Sequence, residues 1–320
     1  MELKIAVIGC SGFGNVHLEA LRELGYPFYV FSRSKEKAEE CARKYNALGF
    51  FTSYKDVIKS DVDIVDLIVS HDSHYPMTVA ALEAGKHVML EKPIARTEEE
   101  AIGMIRIAKE LGLKFMVLEN FYFDSTVWAA KKEMERLGKI SLLVVRSTHF
   151  NSPGGWRAIK EKMGGGAFID GGVHFVDTIL NLGGDYEEVK AHCNKYFSGL
   201  EGEDTTLALF KFRSGASGVM IYSWSAKYPP RVPAFEIYGE NGSIIEDPSG
   251  RINRKPFGNL IVNVNGEAKV VEVEKRNPIV EELRGFVEAV SQNKEVPMPP
   301  EIALRDLKAV LTVYKECGEI

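Results

Sequence analysis

A chain of 320 residues, 45% hydrophobic and 27% charged, has the length for two domains and is too apolar to be disordered. Lys and Arg number 40 against 45 Asp and Glu, and this mild acidity argues against a nucleic-acid partner held by bulk charge. No apolar run approaches the roughly 20 residues that span a bilayer, so no membrane partner is expected.

The N-terminal stretch Met1–Gly9 is a short apolar strand without the basic head and cleavage site of a secretory signal. Four cysteines, Cys10, Cys41, Cys193 and Cys317, lie scattered. They form no CxxC pair and no Cys/His cluster, so neither a metal site nor a disulfide framework is expected, and the reducing cytoplasm is the expected location.

The first third alternates strand and helix. Leu3–Ile8, Phe28–Phe31, Asp63–Val69, His87–Leu90 and Lys114–Leu118 read as buried strands. Between them, Gly14–Leu24 carries an apolar stripe, Ser34 caps a charged helix to Tyr45, and Pro76 sits in the first turn of Tyr75–Ala84. Thr97 and Glu100 form a capping box for a helix to Leu111. Such alternation predicts a doubly wound parallel sheet, an α/β fold of the Rossmann kind. A boundary near residue 122 then divides a dinucleotide-binding domain (1–122) from an α+β domain (123–320). In the latter a helix, Ser125–Leu137, and a long strand, Ile140–Phe150, precede a glycine tract that opens a helix at about Ala167–Leu182. Seven further strands follow, with hairpin signals at Asn241-Gly242 and Asn265-Gly266, and two helices end the chain. A large, mostly antiparallel open sheet is expected.

Several clusters carry chemistry. Gly9-Cys10-Ser11-Gly12-Phe13-Gly14 joins the first strand to the first helix, where glycines allow a tight turn and free N–H groups can meet a pyrophosphate. Ser11 stands where the GxGxxG pattern has its middle glycine, and its hydroxyl can donate to phosphate. After the second strand, Ser32, Arg33 and Lys35 replace the acid that would hold a ribose 2′-hydroxyl, which favours NADP over NAD. Ser70-His71-Asp72-Ser73-His74 follows another strand, at the edge that lines the ligand crevice of such sheets. Asp72 or Ser73 is expected to cap the next helix, and Ser70, His71 and His74 to reach the cofactor. Glu91-Lys92-Pro93 ends the next strand; taken alone, Lys92 reads as a surface lysine. Asp170, His174 and Asp177 share the spacing of one helix face, which suits a base oriented by carboxylates, though alone they read as a surface trio with too few ligands for a metal.

Together these segments resemble the Gfo/Idh/MocA oxidoreductases over nearly the whole chain. The resemblance rests on the glycine loop through His17, on Ala80-Ala81-Leu82-Glu83-Ala84-Gly85-Lys86-His87-Val88-Met89-Leu90-Glu91-Lys92-Pro93, and on Gly165-Gly166-Ala167-Phe168-Ile169-Asp170-Gly171-Gly172-Val173-His174-Phe175-Val176-Asp177. It implies hydride transfer between a nicotinamide cofactor and a sugar, cyclitol or similar polyhydroxylated small molecule. Lys92, Asp170 and His174 match the family's catalytic positions, and Glu91 and Lys92 stand beside the cofactor. Tyr122, His149, Asn151, Trp156, Arg157 and Asp177 fall where relatives contact substrate. A homodimer or homotetramer through the C-terminal sheet is implied as well. Ser11, Ser70 and Tyr122 depart from the family's usual glycine, proline and arginine. The alternative on the same scaffold is a non-catalytic nucleotide-binding sensor; the presence of Lys92, Asp170 and His174 weighs against it.

Overall fold

The structure, a computed structural model, describes residues 3–251, 256–274 and 276–319. The chain divides into two compact units: Met1–Glu119 with Ile279–Leu304, and Asn120–Pro278 with Arg305–Ile320. Residues 279–304 return to the first unit because Ile279, Val280, Leu283, Phe286 and Val287 bury an apolar stripe there.

The first unit runs β1 (Ile5–Ile8), α1 (Gly14–Leu24), β2 (Phe28–Phe31), α2 (Lys35–Tyr45), β3 (Gly49–Phe51), α3 (Tyr54–Lys59), β4 (Ile64–Leu67), α4 (His71–Glu83), β5 (His87–Glu91), α5 (Glu98–Glu110) and β6 (Phe115–Leu118). All pairings are parallel, in the order β3-β2-β1-β4-β5-β6. β1, β4 and β6 are buried along their whole length, as strands covered by helices on both faces must be. The order reverses at β1, so the crevice above its C-terminal end receives the β1–α1 and β4–α4 loops. The short elements β3 and α3 escape the sequence pattern, having too few residues to show a period. α4 begins at His71 rather than at Tyr75, with Ser70 at its N-cap, so Asp72 and Ser73 lie in its first turn and are not its cap. Pro76 consequently sits inside the helix, at the expense of one backbone hydrogen bond.

The second unit contains α6 (Ser125–Glu133), β7 (Ile140–Thr148), α7 (Lys160–Met163), a π-helical turn (Phe168–Gly172), α8 (Val173–Gly183), β8 (Tyr186–Asn194), β9 (Thr205–Phe212), β10 (Ser217–Ser223), β11 (Phe235–Gly239), β12 (Gly242–Asp247), β13 (Asn259–Val264) and β14 (Glu267–Val271). The chain closes with α9 (Pro278–Ser291) and α10 (Pro300–Glu316). The eight strands lie in the order β14-β13-β12-β11-β7-β10-β9-β8, antiparallel except where β7 meets β10. One face is covered by α8; β9 alternates buried and exposed residues from Thr206 onward, leaving Leu207 and Leu209 on the other face.

One expectation is overturned. Cys193 on β8 and Cys317, just after α10, are joined by a disulfide across 124 positions of sequence, while Cys10 and Cys41 are free thiols. Scattered cysteines give no spacing signal when the elements that carry them meet only in the tertiary fold.

Candidate active site

In the first unit the glycine loop is shaped by close approach. A Cβ on Gly14 would lie 2.3 Å from the carbonyl oxygen of Gly9, and one on Gly9 would lie 2.7 Å from that of Ile68. Gly12 is left-handed (φ 56°), a conformation that a side chain resists. Ser11 and Phe13 are exposed, so the loop presents its backbone and the Ser11 hydroxyl outward. This cradle, at the N-terminus of α1, fits a dinucleotide pyrophosphate. Past β2, Arg33 and Lys35 are exposed; Lys35 lies 3.8 Å from Glu39, and Ser32 accepts from the Ser34 N–H.

The histidines after β4 are occupied differently. His74 is fully buried, its Nδ1 donating to the Pro93 carbonyl at 2.8 Å, and burial with His71 alongside pushes its pKa down to about 3. A neutral His74 therefore pins the loop after Lys92. His71 is also buried, and the Ser70 and Ser73 hydroxyls bond each other at 3.1 Å.

Glu91 turns inward. Its Oε1 lies 3.0 Å from His17 Nε2, while His17 Nδ1 lies 2.9 Å from Asp66 Oδ2, all three side chains being buried. Burial opposes a charge on His17, but Asp66 and Glu91 outweigh it and hold the imidazole protonated well above its usual range. Glu282 from α9 completes the cluster with both carboxylate oxygens buried and unpartnered; burial, with Glu91 close by, raises its pKa. Donor atoms of His17, Glu91 and Glu282 lie within 4.8 Å of one another. Both His17 nitrogens are already committed to carboxylates, so the group reads as a hydrogen-bonded chain. Lys92 leaves β5 directly from it, followed by a cis bond to Pro93. His17, Asp66 and Glu282 escape sequence reading, although an aspartate inside the apolar strand Ile64-Val65-Asp66-Leu67 is the signal that could have found one of them.

In the second unit the glycine tract leads into the π turn. Asp170, almost fully buried, accepts from Arg157 Nε at 2.8 Å, and the Arg157 guanidinium lies 4.3 Å over the Trp156 ring. Arg157 thus pairs with the Asp170 carboxylate. His174, at the start of α8, stacks on Phe121 with ring centroids 4.4 Å apart. Asp177 is fully buried between Arg305 (3.2 Å) and Asn181 (2.9 Å), so it serves the fold and does not share an open face with His174. Burial, with Asp177 nearby, raises the Tyr122 pKa.

His149 and Asn151 hydrogen-bond through their backbone N–H groups to the carbonyls of Ser223 and Trp224, and burial lowers the His149 pKa. The His149 ring stands against Tyr222 and Trp224. These two aromatics, missed in the sequence, share a face at the end of β10, and Trp224 Nε1 donates to the Tyr222 hydroxyl at 2.7 Å. A Cβ on Gly171 would fall 1.9 Å from that hydroxyl, so the π turn can rest on Tyr222 only because it carries glycine there.

Residues 3–119 match an oxidoreductase family with an NAD-binding Rossmann fold, and residues 130–245 match the Gfo/Idh/MocA C-terminal domain. The oxidoreductase YhhX of Escherichia coli is 31% identical over 254 residues, covering 75% of this chain and 71% of its own. Levoglucosan dehydrogenase of Pseudarthrobacter phenanthrenivorans is 27% identical over 285 residues, 76% of this chain and 73% of its own. A solved levoglucosan dehydrogenase in complex with NADH and levoglucosan superimposes with a TM-score of 0.88, covering 100% of this chain and 98% of its own; at 22% identity this shows the shared fold. Among the described residues no helix is long and apolar enough to cross a membrane. The cradle at β1, the two-part architecture and these likenesses together establish that the chain belongs to the Gfo/Idh/MocA family of nicotinamide-dependent oxidoreductases.

Proposed function

We propose that the protein is a dehydrogenase or reductase of a CH–OH group on a sugar, cyclitol or related polyol, with NADP preferred over NAD. The observation that carries this reading is the second unit's arrangement of Asp170, locked by Arg157, with His174 following four residues later and stacked on Phe121. Levoglucosan dehydrogenase and, in Thermotoga maritima, myo-inositol 2-dehydrogenase (26% identical over 327 residues) bear names of the same substrate class.

The glycine loop with Ser11 would hold the pyrophosphate, and Ser32, Arg33 and Lys35 the 2′-phosphate. A nicotinamide held there would supply the hydride acceptor for the carbinol carbon. His174 takes the hydroxyl proton, a task suited to an imidazole. Lys92 donates a hydrogen bond to the reacting oxygen and steadies the charge that develops there. Asp170 orients His174 or grips a neighbouring hydroxyl. Tyr122, His149, Asn151 and Trp156 are the proposed substrate contacts.

The test is incubation with NADP or NAD and a panel of sugars and inositols, following absorbance of the reduced cofactor. Lys92→Ala and His174→Ala should each lose about a hundredfold or more in kcat; undiminished turnover in either removes that residue from the mechanism. Arg33→Ala should weaken NADP far more than NAD, and equal losses would contradict the NADP preference. A second copy of the chain is the proposed partner for the open sheet face, where Leu207, Leu209, Ile261 and Val270 are exposed. Sedimentation of the wild type against Leu209→Glu checks it. Cytoplasmic action is retained as the reading, and thiol labelling of Cys193 and Cys317 in fresh lysate tests whether the disulfide forms in the cell.

A further inference from the structure

The helix that carries Asp170 and His174 begins inside the protein, where its leading N–H groups have no water to bond. Four successive groups are all satisfied from outside the helix. Gly166 and Ile169 each donate to the Tyr314 hydroxyl at 3.1 Å, Phe168 donates to Glu203 Oε1 at 2.8 Å, and Ala167 donates to the Glu203 backbone carbonyl at 2.8 Å. The Tyr314 hydroxyl in turn donates to Glu203 Oε1 at 2.9 Å. Both side chains are buried, and they come from distant parts of the sequence, the loop just before β9 and the end of α10. At Gly166 the contact is too close for any side chain: a Cβ there would lie 2.0 Å from the Glu203 carbonyl oxygen.

We propose that Glu203 and Tyr314 are positioning residues for the reaction: the carboxyl–phenol pair fixes the start of the Asp170–His174 helix and thereby where those two side chains stand. The proposal rests on the functional reading above. Asp170 follows immediately on the last capped residue, and it lies within a π-helical turn whose five-residue spacing has little margin of its own. An ordinary helix cap would stabilise and do no more. Here the capped turn carries the carboxylate bound by Arg157, so a shift in the turn moves the reacting groups. A displacement of about 1 Å at a reacting group costs on the order of a hundredfold in rate.

The test compares three variants with the wild type on whichever alcohol the polyol panel identifies. Tyr314→Phe keeps the ring and deletes the hydroxyl. Glu203→Leu deletes the acceptor. Glu203→Gln keeps an acceptor oxygen. The expected result is a fall of about tenfold or more in kcat for Tyr314→Phe and Glu203→Leu, with the cofactor KM within about twofold. Glu203→Gln should restore kcat to within about threefold of the wild type. Amide hydrogen exchange at residues 166–170 should quicken in the first two variants and not in the third. Faster exchange with unchanged kcat makes the pair a structural cap only and overturns the proposal. So does a cofactor KM that worsens in step with kcat, or a Glu203→Gln variant as impaired as Glu203→Leu. If Glu203→Leu fails to fold, Tyr314→Phe decides alone. A wild type that oxidises no alcohol overturns the functional reading and this proposal together, whereas a working wild type with unaffected variants overturns the proposal by itself.

Discussion

Two buried polar clusters stand beside the candidate catalytic residues, one in each unit, and they solve the problem in opposite ways. The cluster beside Lys92 is ionic: an imidazolium at His17 lies between the carboxylates of Asp66 and Glu91. The cluster beside Asp170 is a cap: Glu203, its pKa pushed by burial up to about 7, shares its oxygen with a phenol and a backbone N–H. The first is held by charges that are costly to separate in a dry interior. The second is held by hydrogen bonds that also occupy a helix terminus. Losing a member of the first should therefore endanger the fold, while losing a member of the second should mainly misplace the chemistry.

His17→Ala is the strongest way to break this contrast. It leaves two buried carboxylates without their cation, at a cost on the order of 5 kcal/mol. The expected outcome is loss of the first unit's thermal transition or of soluble protein altogether, followed by circular dichroism and calorimetry. A variant as stable as the wild type would mean that the ring is neutral and the cluster is not ionic.

The disulfide gives the second unit a restraint for which the first has no counterpart among the described residues. Cys317 comes three residues after Tyr314, so the bond to Cys193 tethers the end of the helix that carries the phenol. Closing a loop of this length stabilises by about 5 kcal/mol in the chain-entropy picture. Cys317→Ser should lower the thermal midpoint of the second unit and abolish its response to dithiothreitol. An unchanged midpoint would show that apolar packing of α10 suffices.

The two clusters also differ in how much of them the sequence discloses. The glycine loop, the Glu91-Lys92-Pro93 tripeptide and the tract from Gly165 to Asp177 are local patterns, and the fold class and candidate chemical residues were readable from them. Their supports were not. Asp66 comes from β4 and Glu282 from α9, Glu203 from the loop before β9 and Tyr314 from α10; no spacing links such residues, because tertiary packing alone brings them together. The same cause hid the disulfide and the return of residues 279–304 to the first unit. Local reading also gave His74 and Asp177 ligand-facing roles. In the fold, His74 bonds a backbone carbonyl and Asp177 pairs with Arg305, partners that no local pattern shows.

The pH dependence of stability sharpens the contrast further. Glu203 holds its proton more tightly folded than unfolded, so its share of stability is complete below the ordinary carboxyl pKa of 4.5 and is lost as pH rises to about 7. The difference is about 3 kcal/mol across that window. Urea unfolding of the second unit at a series of pH values should show the decline in the wild type and not in Glu203→Gln. Parallel curves for the two proteins would mean that Glu203 is already ionised at low pH and that its bonds to Phe168 and Tyr314 outweigh its burial.

The smallest expected effect asks whether the charged cluster carries its full complement of charge. Glu282 is buried against Glu91 with no hydrogen-bond partner for either oxygen, and its pKa is raised well above the usual carboxyl range, so it stands neutral beside the ionised members. Glu282→Gln preserves shape and neutrality and should change stability by no more than about 1 kcal/mol at pH values below the ordinary carboxyl pKa. Because the native state resists losing the Glu282 proton, the wild type should weaken relative to the variant from the ordinary carboxyl pKa of 4.5 upward as pH rises. A variant strongly destabilised at pH 7 would reverse the assignment: an ionised carboxylate would then be needed next to Glu91, and the positive charge on His17 would have to balance three carboxylates instead of two.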